Sequence, residues 1–253
     1  MFSASLRLSF NEEVFSSVIF YSIIFIYDLF RGLVPYLNQN VNYSALIDVE
    51  RGLFGSIPTI VVQHELASHL AGRLGAVLAL FYLSHFILPV LVLFFLWKDN
   101  RRNYYFAAVA ILFTSYLSFA TFLIFPAAPP WLASLNGDLP EVKQYLLINL
   151  DGLFSSNYLS DLYRSLSANP YAPFPSLHAA YPFLIFIISL KFIKKASLVF
   201  FVVFVVVSFA LVAFGEHYVV DIFAGWVYAL VSFIVTLKLF KTPVVSRYLD
   251  KIN

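Results

Sequence analysis

Long apolar segments constrain the fold of this chain more than any other feature of its sequence. An α-helix needs about 20 mostly apolar residues to cross the hydrocarbon core of a bilayer. The composition agrees, because 61% of the 253 residues are hydrophobic and only 12% are charged, whereas soluble domains average about 25% charged residues. The six predicted spans are residues 14–30, 75–97, 104–125, 176–190, 196–214 and 218–240.

The segments between these spans predict short helices at the membrane surface. Residues 38–72 mix polar and apolar side chains and predict one or two interfacial helices. Residues 126–175 begin with a proline-rich run that cannot continue a helix, and further short helices are predicted around 139–149 and 158–167. The short fourth span ends in lysines that can snorkel and extend it.

The sequence therefore predicts an all-α integral membrane protein with six transmembrane helices and interfacial helices. We expect one membrane-embedded domain, residues 1–253, with a core bundle at about 75–240 and with the first span and an interfacial segment in residues 1–74. No small-residue cleavage site follows the first apolar run, so we interpret it as a retained span. The chain has no cysteine, which excludes disulfides and thiolate metal ligands.

The basic residues predict how the spans are oriented. With the N-terminus inside, 11 of the 16 lysines and arginines fall on the inner side, as the positive-inside rule requires of short cytoplasmic loops. Many of them lie in a tight turn at 98–103 and in residues 191–195. The fourth and sixth spans then begin at the outer, non-cytoplasmic side. The basic residues on that side are Arg31, Arg51, Arg73, Lys143 and Arg164.

Two histidines lie at these outer span starts, and their neighbours indicate phosphoryl transfer. His217 and Asp221 are four residues apart, so on a helix they share one face. A carboxylate on one ring nitrogen fixes the tautomer and leaves the other nitrogen free as a nucleophile, while His178 can act as a general acid. Ser176 is a predicted N-cap, and a helix starting there presents backbone N–H groups as an anion site. Phosphoryl transfer needs such positioning and charge neutralisation.

Both histidine motifs resemble signature sequences of the type-2 phosphatidic acid phosphatase superfamily. Residues 175–178 (PSLH) resemble its second motif, and residues 215–225 (GEHYVVDIFAG) resemble its third. The resemblance extends over roughly residues 25–235. Stretches similar to the inositolphosphorylceramide synthase branch are 27–32 (YDLFRG), 54–59 (FGSIPT) with Gln63, and 125–131 (FPAAPPW).

The resemblance implies a role for each residue of these motifs. His217 would be the nucleophile and form a phosphohistidine, Asp221 would orient it, and His178 would protonate the leaving oxygen. Ser176 would hold a phosphate oxygen. The resemblance also implies a helical core like that of the phosphatidic acid phosphatases and haloperoxidases. Its site would lie at the non-cytoplasmic surface and need no metal or cofactor.

The chain departs from the superfamily where other members supply cations for the phosphate. The first motif is a lysine followed seven residues later by Arg-Pro, but residues 116–130 contain no basic residue. Residues 211–214 (LVAF) stand where the third motif carries Ser-Arg. We therefore look for the positive charge elsewhere on the outer side. Arg31, near a span end in a matching stretch, is the first candidate, Arg73 is the second, and Arg164 is the other arginine considered.

The reaction class stays open at the level of sequence. With water as acceptor the chain would be a lipid phosphatase, and with a lipid or polyol hydroxyl as acceptor it would be an inositol-phosphate-type phosphotransferase. Either reaction would act on a lipid phosphate or diphosphate in the membrane, and no nucleic-acid partner is expected. The alternative function is that of a non-enzymatic lipid transporter or scramblase with the same fold.

A zinc site is the rival interpretation of the polar residues. His178, His217, Asp221 and Glu216 are all residue types that ligate zinc. The remaining histidines lie in no motif, and we interpret them as structural. These are His64, His69 and His85.

Overall fold

The computed structural model describes residues 22–249, except residues 24, 28, 155, 167 and 168, and within them it is a helical protein without strands. Most of the first predicted span, residues 14–30, lies outside the described residues, as does Asp28. The first helix, α1, contains the described residues from 22 to 37. The others are α2 (Ala45–Phe54), α3 (Pro58–Leu70), α4 (Arg73–Asp99), α5 (Arg101–Ile124), α6 (Pro130–Leu135), α7 (Tyr145–Phe154), α8 (Tyr158–Leu166), α9 (Leu177–Phe192), α10 (Ser197–Ala213), α11 (Val219–Leu239) and α12 (Pro243–Leu249).

Within the described ranges, four helices are long and apolar enough to cross a membrane: α4, α5, α10 with the 3-10 turn before it, and α11. The predicted all-helical fold is confirmed, and four of the six predicted spans meet this length, which fits an integral, multi-pass membrane protein. Helix α9 is apolar but has only 16 residues. At a rise of 1.5 Å per residue it is about 24 Å long, shorter than a hydrocarbon core of about 30 Å.

The direction of the helices separates the described basic residues of the predicted inner side from the two histidines. Helices α4, α9 and α11 end at the face where α5 and α10 begin, and those lysines and arginines of the predicted inner side that the structure describes cluster there. The turn predicted at 98–103 is reduced to one residue, because Asn100 ends α4 and also caps α5 by accepting a hydrogen bond from the backbone N–H of Asn103. His178 and His217 lie at the opposite end of the bundle.

One short helix begins later than expected, because side chains hold the preceding residues in an extended conformation. The helix predicted at 139–149 begins only at α7. The backbone N–H of Val142 donates to Oγ of Ser134 at 2.9 Å, and that of Lys143 donates to Oε1 of Gln63 at 2.9 Å. The other predicted surface helices are present as α2, α3 and α8.

The start of α9 packs tightly against the first turns of α11. The backbone N–H of Ser176 donates to the carbonyl oxygen of Asp221 at 3.0 Å. A Cβ atom at Gly225 would lie 2.3 Å from the carbonyl oxygen of Ser176, so the two backbones approach closely only because this residue is glycine. This contact brings the two histidine motifs side by side.

We expect Gly225→Ala to push α9 away from α11. The added methyl group meets backbone, which cannot rotate away, and overpacking of this kind costs about 1–3 kcal/mol. Thermal unfolding in detergent should show the loss. The matched control is Gly52→Ala in α2, where a Cβ would have no neighbour within 4 Å. Equal stability of the two variants would contradict the proposed close packing.

Candidate active site

Three side chains at the starts of α9 and α11 form a hydrogen-bonded chain. Nδ1 of His178 lies 2.9 Å from Nε2 of His217, and Nδ1 of His217 lies 3.3 Å from Oδ2 of Asp221. His217 and Asp221 are buried. The structure thus brings together the two motifs that the sequence singled out, although they are 39 residues apart.

The Asp221 carboxylate determines where the protons of this chain lie. Its Oδ2 also accepts a hydrogen bond from the backbone N–H of Tyr218 at 2.9 Å, so it acts as an acceptor toward both groups. We therefore assign the His217 proton to Nδ1, which leaves a lone pair on Nε2. Nδ1 of His178 then carries the proton shared between the rings. In this state His178 covers Nε2 of His217, and a group that reaches that nitrogen must part the two rings.

Helix α3 holds the segment that carries His217. Nε2 of Gln63 donates to the carbonyl oxygens of Lys143 at 2.8 Å and Ala213 at 3.0 Å. Oγ1 of Thr59 donates to the carbonyl oxygen of His217 at 3.4 Å. Thr59 and Gln63 belong to the stretch that resembles the inositolphosphorylceramide synthase branch. Their hydrogen bonds hold the backbone of His217 and of the segment that precedes it.

Glu50 caps the start of α11, a role that sequence reasoning missed. Its Oε1 accepts hydrogen bonds from the backbone N–H groups of Val219 at 2.5 Å and Val220 at 3.3 Å. Burial raises the pKa of the Glu50 carboxyl to about 7, although these two hydrogen bonds lower it. The available signal was its position in α2, where it falls on the buried face with Leu46 and Ile47.

The three residues predicted to bind phosphate occupy different environments. Ser176 is buried and its Oγ accepts a hydrogen bond from the backbone N–H of Ala179 at 3.2 Å, which confirms it as the N-cap of α9. Arg31 lines a cavity together with His178. Arg73 is exposed at the first residue of α4 and is not among the residues lining that cavity. Phosphate binding by each of them stays a prediction.

The cavity beside His178 has a volume of about 690 Å³ and a mainly apolar wall. Its apolar residues come from α1, α4, α5, α7, α8 and α9. The volume lies within the range of sites for small molecules and cofactors, and the apolar wall suits a hydrocarbon chain. The polar residues of the wall include Arg31, His85, Tyr163, Asn169 and His178.

His85, interpreted from the sequence as structural, lies against His178. The centroids of the two rings are 4.6 Å apart, and Nδ1 of His85 is hydrogen-bonded to the carbonyl oxygen of Tyr82. The Tyr82 and Tyr163 hydroxyls are hydrogen-bonded to each other at 2.7 Å. Burial raises the pKa of Tyr163, while the charge of Arg31 acts in the opposite direction. The available signal was an ionisable residue inside a predicted span, which usually has a function.

The zinc alternative finds no ligand cluster in the part of the chain that the structure describes. No group of three or more His, Asp or Glu side chains is arranged there to hold a metal ion. Glu216, one of the four residues considered, is buried and hydrogen-bonded to the side chain of Gln144.

Residues 44–235 match the family model described as the PAP2 superfamily. The chain belongs to the PAP2 superfamily. This PAP2 protein is 28% identical over 216 residues to phosphoinositol dihydroceramide synthase of Bacteroides thetaiotaomicron, and the alignment covers 79% of this chain and 68% of that protein. No solved structure matches the chain. The family assignment makes the chain a membrane enzyme of the lipid phosphatase and phosphotransferase type, and the resemblance to the synthase branch is confirmed.

Glu216 is expected to make the PAP2 protein less stable as the pH rises. Burial raises the pKa of its carboxyl from 4.5 to about 7, although the hydrogen bond with Gln144 lowers it. Between these two pH values the unfolded chain loses the proton and the folded protein keeps it. The folded state therefore binds more protons, and stability falls with increasing pH.

Glu216→Gln should remove this pH dependence, because an amide resembles the protonated carboxyl. We expect the variant to match the parent protein near pH 4.5 and to be more stable above pH 7, where the buried charge of the parent is fully formed. Thermal unfolding in detergent at a series of pH values measures the difference. A difference that does not change with pH would contradict the raised pKa.

Proposed function

We propose that the protein moves a phosphorylated headgroup from a donor lipid to the hydroxyl of a second lipid, through a phosphohistidine on His217. The observation that carries this proposal is the hydrogen-bonded chain of His178, His217 and Asp221 beside an apolar cavity. Such a chain supplies a nucleophile, an acid and an orienting carboxylate. The name of the similar synthase, phosphoinositol dihydroceramide synthase, supports an inositol phosphate as the headgroup.

In the first step the lone pair on Nε2 of His217 attacks phosphorus. The bond between phosphorus and the donor lipid oxygen breaks, and that oxygen takes the proton from His178. Asp221 stabilises the positive charge that develops on the His217 ring. The two histidines, 2.9 Å apart in the structure, separate so that the phosphoryl group lies between them.

In the second step the hydroxyl oxygen of the acceptor attacks the same phosphorus. The bond between phosphorus and Nε2 breaks, its electron pair returns to His217, and the hydroxyl proton passes to His178. Water in place of the acceptor would give hydrolysis with the same residues. The apolar wall around His178 favours a lipid alcohol over water, because it binds a hydrocarbon chain and provides few groups to hold solvent.

Positive charge from Arg31 would balance the phosphate during both steps. Arg31 lines the cavity with His178, and arginine pairs well with phosphate because its planar donors match two oxygens. The first N–H groups of α9, which begins after Ser176, would add a partial positive charge. Arg73, which is exposed, would contribute less.

The topology that fits this chemistry has six spans in one domain, with the site on the non-cytoplasmic side. Helix α9 and the first predicted span would add two spans to the four long helices. Most of the basic residues that the structure describes lie at the end of the bundle opposite His178 and His217, and the positive-inside rule assigns such an end to the cytoplasm. Substrate would then approach from the outer leaflet.

We expect His217→Ala and His178→Ala to lower turnover by about 10³-fold or more, because nucleophile and acid act as a unit. Asp221→Asn should also lower kcat strongly, since an amide can hold the His217 ring in the wrong tautomer. Purified protein given phosphatidylinositol and an acceptor lipid provides the assay, with new lipid and released inositol phosphate measured separately. When the phosphate of the donor lipid is labelled, the protein should acquire an acid-labile phosphate label, and His217→Ala should lack it.

The matched control is His69→Ala, which removes an exposed histidine from α3. It should retain the activity of the parent protein. Normal turnover of folded His217→Ala would rule out the phosphohistidine mechanism, whatever the acceptor.

Arg31→Ala should lower kcat/KM by about 10²-fold, because a phosphoryl group loses its nearby positive charge. Arg31→Lys should recover part of this loss, since it keeps the charge and loses the planar pair of donors. Arg51→Ala, at an exposed position in α2, is the matched control, and Arg73→Ala should have a smaller effect than Arg31→Ala. A larger effect at Arg73 would show that the phosphate lies elsewhere.

A further inference from the structure

The Glu50 carboxylate lies at the same helix start as the proposed nucleophile. Asp221 and Glu50 divide three consecutive backbone N–H groups between them. Oδ2 of Asp221 accepts from Tyr218, and Oε1 of Glu50 accepts from Val219 and Val220. Glu50 is fully buried, although it comes from α2, 169 residues before Val219. Two carboxylates from different helices therefore share the backbone that directly follows the proposed nucleophile.

A neutral oxygen could accept the same two hydrogen bonds without a buried charge. At the start of α9, the hydroxyl of Ser176 takes an N–H group in this way. A buried carboxylate is costly unless other groups balance its charge. In the part of the chain that the structure describes, Oε2 of Glu50 has no hydrogen-bond partner. The contacts of this carboxylate are therefore with the helix start and not with a basic side chain, which indicates that its charge acts on the helix start.

The start of α11 opposes positive charge on His217, which lies two residues before the helix. A helix N-terminus carries roughly half a positive charge, and it can keep a nearby imidazole neutral. When Nε2 of His217 bonds to phosphorus, Nδ1 keeps its proton and the ring becomes positive. The hydrogen bond between Nδ1 and Asp221 offsets part of this charge. The partial charge of the helix start remains, and Glu50 lies where it can cancel it.

We propose that Glu50 is a positioning residue for the phosphohistidine, because its negative charge neutralises the start of α11 and lets the His217 ring become positive. This inference rests on the proposed function, since it concerns the step in which the bond from Nε2 to phosphorus forms. In that step the donor's P–O bond breaks and its oxygen takes the proton of His178. Glu50 acts on this step through the backbone of Val219 and Val220.

The charge of Glu50 depends on pH. Burial, together with the nearby charge of Asp221, raises the pKa of Glu50 to about 7, although its two backbone hydrogen bonds lower it. The other charged or titratable groups around this helix start are Tyr218, Arg51 on α2 and Asp138 between α6 and α7. The carboxyl is ionised above this pKa and neutral below it. The stabilisation of the positive ring is therefore lost as the pH falls through about 7.

Glu50→Gln tests the charge separately from the hydrogen bonds, because the amide oxygen can accept both N–H groups. The kcat of the parent protein divided by that of the variant should rise from about one near pH 5.5 to about ten above pH 8, as a partly buried charge at a helix terminus allows. This ratio cancels the titration of groups that both proteins share. KM should change little. Asp48→Asn, which removes an exposed carboxylate from the same helix, should give a ratio of one at every pH.

The assay uses the full-length protein in detergent, with phosphatidylinositol labelled in its phosphate and an acceptor lipid. The rate at which acid-labile label appears on the protein should follow the same ratio, because the charge acts on the step that forms the label. Glu50→Asp, which keeps a carboxylate, should retain part of the dependence on pH.

A ratio for Glu50→Gln that is the same at every pH would overturn the inference and leave the proposed function intact, since a cap that acts only by its shape has one effect at all pH values. Absence of label from the parent protein would overturn the proposed phosphohistidine, and the inference with it. If thermal unfolding shows that Glu50→Gln does not fold, the parent protein and Asp48→Asn decide the question. Their label should form faster as the pH rises through about 7, and a rate that stays constant would overturn the inference.

Discussion

The candidate site depends on one backbone contact, the hydrogen bond from the N–H of Ser176 to the carbonyl oxygen of Asp221. It fixes the start of α9 against the first turn of α11, and Gly225 makes room for the approach. Because His178 follows Ser176 by two residues and Asp221 lies one turn after His217, this contact sets the distance between the two rings. A shift of α9 by one residue would separate them and leave two unrelated polar residues inside a membrane.

The two helix starts satisfy their free backbone N–H groups in different ways, and this difference has a consequence for anion binding. At α11 the buried Glu50 carboxylate takes the N–H groups of Val219 and Val220. At α9 the neutral hydroxyl of Ser176 takes one N–H group. The ionised form of Glu50, whose pKa is about 7, cancels the partial positive charge of the helix start, whereas a hydroxyl leaves most of it in place. The start of α9 is therefore the better of the two for a phosphate.

Sequence patterns predicted the helices and the central residues because both depend on local order. Apolar run length located the long helices, and the spacing of His217 and Asp221 is a property of one helix turn. The late start of α7 was not predictable in this way, because it results from the side chains of Ser134 and Gln63 in distant segments. The environment of His85 was not predictable for the same reason, because the ring beside it, His178, lies on α9, far away in sequence.

The region that matches the superfamily's first motif contains no basic residue in this chain. The proposed chemistry therefore needs positive charge from another segment. A phosphate site built from core helices is complete once the bundle has formed. Here the arginine in the cavity wall comes from α1, outside the residues 44–235 that match the family model. The positive charge available to the phosphate then depends on how α1 packs against α5, where Tyr27 meets the rings of Tyr116 and Phe119. If Arg31 has the proposed role, apolar contacts between these two helices hold its charge in place for catalysis, and weakening them would affect turnover before it affects the core.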